Sequence, residues 1–267
     1  MARFLPHYSL IDFRVVLPYM SEKQLARLSK ILPAVSSLYI ALFPYLCGDA
    51  NAPGNISLYA RGRDYHTVVM RFLTSKMRRL HKTYPDNRFA ALVDASPLPE
   101  VTAAAAAGLG YIGRHGLLIC PEYGSYVFIG IIASDRMLDG PAAEVLPQLH
   151  PACAQCTRCL SACPSAHLHD SALPCLSAVT QKKGNLTARE EILLTKSNSI
   201  WGCDTCQRAC PLNQAVHSTS IRDFTEDLLS FLSRDMLDNM TEATFKRRAF
   251  CFRGRQPLLR NLEIVKR

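Results

Sequence analysis

The chain has 267 residues, 48% of them hydrophobic and 20% charged, which suits one substantial core plus a smaller module and excludes a small secreted disulfide scaffold. Its longest apolar run, Tyr126–Ala133, is far short of the ~20 residues that cross a bilayer, and the opening MARFLPHYSLIDF has no charged-then-apolar leader, so a cytosolic (cytoplasmic) protein with no membrane partner is expected. Lysine plus arginine exceeds aspartate plus glutamate by 31 to 22, a formal charge of +9. That excess suits a polyanion or an acidic redox protein as partner, although a basic surface with no specific partner carries the same charge.

In chain order, Ser21 is a natural N-cap for a helix over about Glu22–Leu32, with leucines at 25, 28 and 32 on one face and Pro33 ending it. Ser37–Leu46 reads as a buried strand and Cys47–Gly54 as a loop. Asp64 caps a helix over about Tyr65–Lys82, whose apolar positions 68, 69, 72, 73 and 80 recur at helical spacing and whose other face is basic. Phe89–Val93 is a short strand that delivers Asp94 at its tip, and Ser96-Pro97 is read as opening a helix through Ala103–Ala107. Strand tips project side chains into the crevices of α/β sheets. Asp94 at such a tip either does chemistry or caps the following helix, and periodicity leaves both open.

Gly108–Gly113 (GLGYIG) matches the letters of the dinucleotide fingerprint in the wrong context, because a helix precedes it and a strand-like stretch follows. Nicotinamide binding is rejected; the glycines end a helix and permit close backbone approach. Leu117–Cys120 and Tyr126–Ile132, joined by the turn Glu122–Ser125, are expected to form a hairpin in the core sheet. Composition shifts toward proline and cysteine after Asp139, placing a domain boundary near Gly140. Beyond Pro211 the chain turns helical, with leucines at 228, 229, 232 and 237, and Thr241 caps a basic segment.

Cys153–Pro164 (CAQCTRCLSACP) has the C-x2-C-x2-C-x3-C-P spacing of a bacterial ferredoxin run that holds a 4Fe-4S cubane. Cys203–Pro211 (CDTCQRACP) is an incomplete second copy with Ile200 where another cysteine is wanted. Two cubanes need eight thiolates, the runs supply seven, and Cys175 between them is the eighth. In two-cluster ferredoxins the cysteine before proline ligates the other cluster. Cluster one then takes Cys153, Cys156, Cys159 and Cys210, and cluster two takes Cys163, Cys175, Cys203 and Cys206. Zinc knuckles would leave Cys153, Cys163 and Cys210 without a role. Cys47, Cys120 and Cys251 lie outside any ligand spacing and read as small buried hydrophobes, and with eight thiolates present His150, His167 and His169 are not needed as ligands.

Ser57–His66 (SLYARGRDYH), Val93–Pro97 (VDASP), Ala107–His115 (AGLGYIGRH), Gly124–Gly130 (GSYVFIG), the cysteine runs and Leu259–Asn261 (LRN) occur in the order found in the epoxyqueuosine reductase family, which the chain resembles over roughly residues 40 to 265. The resemblance implies an oxidoreductase that uses cobalamin and two 4Fe-4S clusters to reduce epoxyqueuosine to queuosine in tRNA. Asp94 falls on the family's proton donor and Tyr65 on the tyrosine of its D-Y-H block. Ser57, Asp94, Gly113, Leu118 and Ile129 fall in blocks bordering the corrin, some through backbone, and Lys182 and Lys183 near the tRNA path. The chain departs from the pattern at Leu212, where a tryptophan is usual, and at Arg114, where the common version carries lysine.

The expected architecture is therefore α/β (α+β): a three-layer cobalamin-binding core over residues 1–140, a ferredoxin-like double-cluster module over 141–215 and a C-terminal helical segment over 216–267. The expected partners are tRNA and a reducing protein such as flavodoxin or ferredoxin, on a monomer. A cobalamin/iron–sulfur reductase of a small molecule and a non-catalytic double-cluster electron carrier are the competing functions.

Overall fold

The computed structural model describes residues 6–94 and 96–266; Met1–Leu5 of the opening segment lie outside them. The chain divides into two compact units, residues 1–44 with 66–155 and residues 45–65 with 156–267.

The first unit is built on β1 (Tyr8–Asp12), α1 (Phe13–Val16), α2 (Glu22–Ile31), β2 (Ser37–Pro44), α3 (Tyr65–Thr83), β3 (Phe89–Val93), α4 (Glu100–Ala106), β4 (Tyr111–Ile112), β5 (Leu118–Ile119) and β6 (Val127–Ser134). Four strands form one antiparallel sheet in the order β1-β2-β6-β3, with Ile40 opposite Ile131 and Leu92 opposite Ile131 across the ladders. β2 is buried along its whole length, so it carries apolar residues on both faces. Leu38, Ile40 and Leu42 face a core shared with α1, α2 and the alanines of α4. Phe43 on the opposite face meets Phe72 of α3 edge-on at 5.2 Å. Helices on both faces of one sheet give the expected three layers within this unit.

Gly130 sets how closely α3 can lie: a Cβ there would come 2.7 Å from Val69 Cγ1 and 2.9 Å from Phe43 Cε2. Ser21 caps α2 as expected, with the reciprocal capping box completed by Gln24.

Two expectations change here. α4 begins at Glu100, with Pro99 at its N-cap, not at Ser96. Ser96 and Leu98 each precede a proline, which disfavours the helical conformation at both, and Ser96 instead accepts the Leu98 N–H at 3.2 Å. β5 does not pair with β6: both edges of β6 are taken by β2 and β3, so Leu118–Ile119 pairs with β4 in a separate two-stranded sheet. Only the turn itself survives, closed by Cys120 N–H donating to Gly124 O at 2.9 Å.

The second unit holds α5 (Arg158–Ala162), α6 (Leu176–Gln181), α7 (Ala188–Ser197), α8 (Thr205–Arg208), α9 (Arg222–Thr225), α10 (Arg234–Asn239), α11 (Glu242–Lys246) and α12 (Gln256–Val265). It takes in residues 45–65 and the C-terminal helices together, in place of boundaries near 140 and 215. Hydrogen bonds explain the grouping. Ser57 N–H donates to Trp201 O at 2.8 Å, Ile200 N–H to Asn55 O at 2.8 Å, and Asp64 N–H to Arg247 O at 2.8 Å. Asn261, fully buried on α12, donates to Thr180 O and Ile200 O, each at 2.8 Å. Of the four leucines expected in helices beyond Pro211, only Leu237 lies in one, and Leu228 is exposed.

Candidate functional site

In the first unit β3 ends at Val93 and the next residue, Asp94, has φ +50°. A left-handed conformation is uncommon outside glycine and tolerated best by short polar side chains such as aspartate. With Pro99 as the N-cap of α4, Asp94 is six residues short of the helix and does not cap it. Its Oδ2 lies 3.2 Å from Nε2 of His66, in the first turn of α3, and its side chain is 51% exposed.

The buried carboxyl beside this pair is Glu100, a residue the sequence reading passed over. Burial raises it to about 7; a hydrogen bond from Ser96 opposes that, the Asp94 charge adds to it and His66 opposes it. Its Oε1 is buried with no hydrogen-bond partner. His66 was likewise passed over, although it closes the D-Y-H block. The signal for Glu100 was its place as the first-turn acid following the two prolines.

Gly113 lies against His115: a Cβ there would sit 2.5 Å from the His115 ring. Burial pushes His115 down to about 4, so the ring is neutral. Its Nδ1 accepts the Leu117 N–H at 3.2 Å, which puts the proton on Nε2. That Nε2 is a buried donor with no protein partner, in the block where the corrin border is expected. Leu118 is buried in the core and Ile129 packs partly buried against it, so Leu118 can contact a ligand through backbone only. Arg114 donates from Nε to Cys153 O at 3.0 Å and from Nη2 to Ala154 O at 3.0 Å, and so fixes the backbone at the first cluster cysteine.

In the second unit Cys163 and Cys175 are brought close to the second cysteine run. Cys206 is pushed up to about 12, by burial first and then by the thiols of Cys203, Cys175, Cys163 and Cys159 in that order. Cys203 is raised by burial, with Asp204 and Cys175 adding to it. Burial acts on Cys163 in the same sense but is outweighed by N–H groups of Leu168, Ser165 and His167 and by the Ser165 hydroxyl, which hold the thiol below its ordinary value. Half-buried thiols brought close to one another suit a cationic iron core that compensates their charge as thiolates, and N–H groups aimed at a cluster sulfur tune its potential.

No three histidine, cysteine, aspartate or glutamate side chains among the described residues converge on one point. A cubane does not ask for that, since each thiolate binds its own iron corner. None of the eleven cysteines is paired in a disulfide. Of the three extra ones, Cys120 is buried as expected and packs in the first unit's core, whereas Cys47 and Cys251 are half-buried. His150 and His167 serve the backbone, His150 Nδ1 accepting the Ala152 N–H at 3.1 Å and His167 pairing with Leu173 O.

Ser57 is 3% exposed and its hydroxyl donates to the buried Asp204 carboxylate, which also accepts the Leu58 N–H at 2.9 Å. The expected corrin-bordering serine thus ties residues 57–58 to the second cysteine run. Tyr65 is 9% exposed with its ring edge-on to Tyr59 at 6.2 Å. Lys182 pairs with Glu190 at 2.8 Å, and with Lys183, Gln181, Cys175 and Arg253 it lines a cleft of about 660 Å³.

The family model for a 4Fe-4S double cluster binding domain matches residues 152–213, and that for epoxyqueuosine reductase QueG matches residues 26–95. The epoxyqueuosine reductase of Gloeobacter violaceus is 35% identical over 241 residues, covering 86% of this chain and 74% of the relative. The chain belongs to the epoxyqueuosine reductase family. That of Synechocystis is 32% identical over 84% of this chain and 78% of its own. The fold agrees: the structure of the Streptococcus thermophilus epoxyqueuosine reductase superposes with a TM-score of 0.75 at 25% identity, over 97% of this chain and 76% of that one. A second family structure, holding a tRNA-Tyr stem loop modified with epoxyqueuosine, has a TM-score of 0.74 at 24% identity. The two 4Fe-4S clusters of the sequence reading are those of the matched double-cluster family, and the oxidoreductase class is that of the relatives. Among the described residues no helix is long and apolar enough to cross a membrane.

Proposed function

We propose that this chain reduces epoxyqueuosine in tRNA to queuosine in the cytoplasm, with Asp94 as the proton donor; the observation that carries the reading is Asp94 at the tip of β3, paired with His66 and freed from helix capping. The reaction breaks both carbon–oxygen bonds of the epoxide, takes two electrons and two protons, and releases the oxygen as water while a carbon–carbon double bond forms. Cobalamin, when bound, supplies a low-valent cobalt centre that the one-electron clusters can charge. The orphaned Nε2–H of His115 and the tight Gly113 backbone suit a polar, bulky ligand at that block.

This chain's own residues hold and move protons. His66 fixes the Asp94 carboxyl and Asp94 protonates the departing oxygen, with Tyr65, next to His66 in the first turn of α3, assisting. Ser57, Gly113, Leu118 and Ile129 border the corrin, Leu118 by backbone. Cys153, Cys156, Cys159 and Cys210 hold one cluster and Cys163, Cys175, Cys203 and Cys206 the other; the dominance of Cys203, Cys175 and Cys163 over Cys159 in acting on Cys206 supports that exchange.

The +9 charge suits tRNA phosphates and an acidic electron donor such as flavodoxin or ferredoxin. Lys183 is the stronger phosphate candidate of its pair, because the Lys182 charge is matched by Glu190. We take the working form to be a monomer. The test is anaerobic incubation of the reconstituted protein with cobalamin, reductant and epoxyqueuosine-bearing tRNA. The nucleoside should lose the mass of one oxygen, and Asp94→Asn should abolish that loss while keeping iron and cobalt content. Full turnover by Asp94→Asn removes Asp94 from the mechanism, and a wild-type protein with clusters but no cobalt and no conversion points to an electron carrier.

A further inference from the structure

The reduction consumes two protons, and one carboxyl can give only one before it must be recharged. Behind Asp94 stands a second acid with unusual surroundings. Glu100 opens α4, its Oε1 is buried with no partner, and its neighbours are Ser96, Asp94 and His66. A buried carboxyl oxygen without a donor is poorly suited to a full negative charge and well suited to carrying a proton. Among the described residues the ionisable groups acting on it are Asp94 from the turn after β3 and His66 from α3.

We infer that Glu100 is the proton store behind Asp94: a buried acid that holds the second proton of the reduction and returns it to Asp94 after Asp94 has protonated the oxygen. Asp94 gives the first proton and becomes a carboxylate; Glu100 reprotonates it; Asp94 gives the second and water leaves. Both carboxylates are then recharged from solvent, and the two electrons come through the iron–sulfur clusters. Glu100 acts through Asp94, which makes it a positioning residue of the proton path. Its ordinary alternative, an acid buried for packing alone, supplies no proton. The inference rests on the proposed epoxide reduction.

The test compares wild type, Glu100→Gln and Asp94→Asn as cluster- and cobalamin-loaded proteins. Their pH–rate profiles are measured on epoxyqueuosine-bearing tRNA, and the infrared carbonyl band of protonated carboxylic acids is followed on the protein alone. Wild-type turnover should fall as pH rises through about 7, where Glu100 loses its proton. Glu100→Gln should lose that limb and run about tenfold slower on the acid side, less than the 10²- to 10⁴-fold of a missing general acid, the two profiles converging above the limb. The infrared band should titrate near neutrality in wild type and Asp94→Asn and be absent from Glu100→Gln. A purely structural Glu100 lowers the rate equally at every pH and leaves the limb in place. That result, or a band that survives in Glu100→Gln, overturns the store even if tRNA is reduced. A wild-type protein that shows the band but converts no tRNA overturns the functional reading, and with it the store's part in this reaction.

Discussion

Asn261→Ala should loosen the double-cluster unit from a distance. The side chain is fully buried, and its amide donates to Thr180 O, in the last turn of α6, and to Ile200 O, three residues ahead of Cys203. Removing it strands two buried carbonyls, each costing ~1–3 kcal/mol, for a loss of about 3 kcal/mol. Against a urea dependence of ~3 kcal/mol/M, the unfolding midpoint should fall by about 1 M. The measurement is anaerobic urea titration followed by cluster absorbance, with Asn239→Ala as control, because Asn239 makes one exposed bond to Asp235 O at 2.9 Å. A midpoint that moves no further for Asn261→Ala than for Asn239→Ala refutes the argument that α12 braces both flanks of the second cluster.

Glu100 gives a stability signature independent of turnover. Its folded-state value is raised from 4.5 to about 7, so the native state binds the proton more tightly, and stability should fall by up to ~3 kcal/mol as pH rises across that window. Glu100→Gln should abolish that fall, with urea midpoints at both ends of the window as the check. Gly130→Ala, pushing a methyl against Val69 and Phe43, should cost ~1–3 kcal/mol and lower the melting temperature of the first unit, and an unchanged melting curve would show that α3 can shift without cost. Binding to tRNA should weaken steeply with salt, and Lys183→Ala should shallow the log–log slope by about 1, while Lys182→Ala changes it less because Glu190 already neutralises that ammonium.

The parts legible in the sequence are those fixed by local rules. Ser21 announces α2 because a capping box needs only residues 21 and 24, Ser37–Pro44 stands out because it is buried along its whole length, and Phe89–Val93 because all five of its residues are apolar. What was misread depends on distant partners. Leu118–Ile119 looks like the first arm of a hairpin until both edges of β6 are known to be occupied. Residues 45–65, with Cys47–Gly54 as a loop, fall in the first domain by sequence, and only the backbone bonds of Asn55 and Ser57 with Ile200 and Trp201 assign them to the second unit. The start of α4 was a local misreading, since Pro97 and Pro99 were both in view.

The same division separates the two halves of the candidate site. A cluster's ligands must wrap one small object, so their spacing is imposed on the sequence, and eight cysteines can be picked out without a structure. An acid's strength is set by what surrounds it in space. A carboxyl that donates a proton near neutrality needs a desolvated site, yet Asp94, which the family resemblance makes the donor, is half-exposed and the carboxyl raised by burial is Glu100. Asp94 is chosen by position, at a strand tip with an imidazole within reach; Glu100 is chosen by environment, under the turn that the two prolines impose. If proton delivery needs both properties, dividing them between two residues lets the donor stay accessible while the proton is kept where water does not take it.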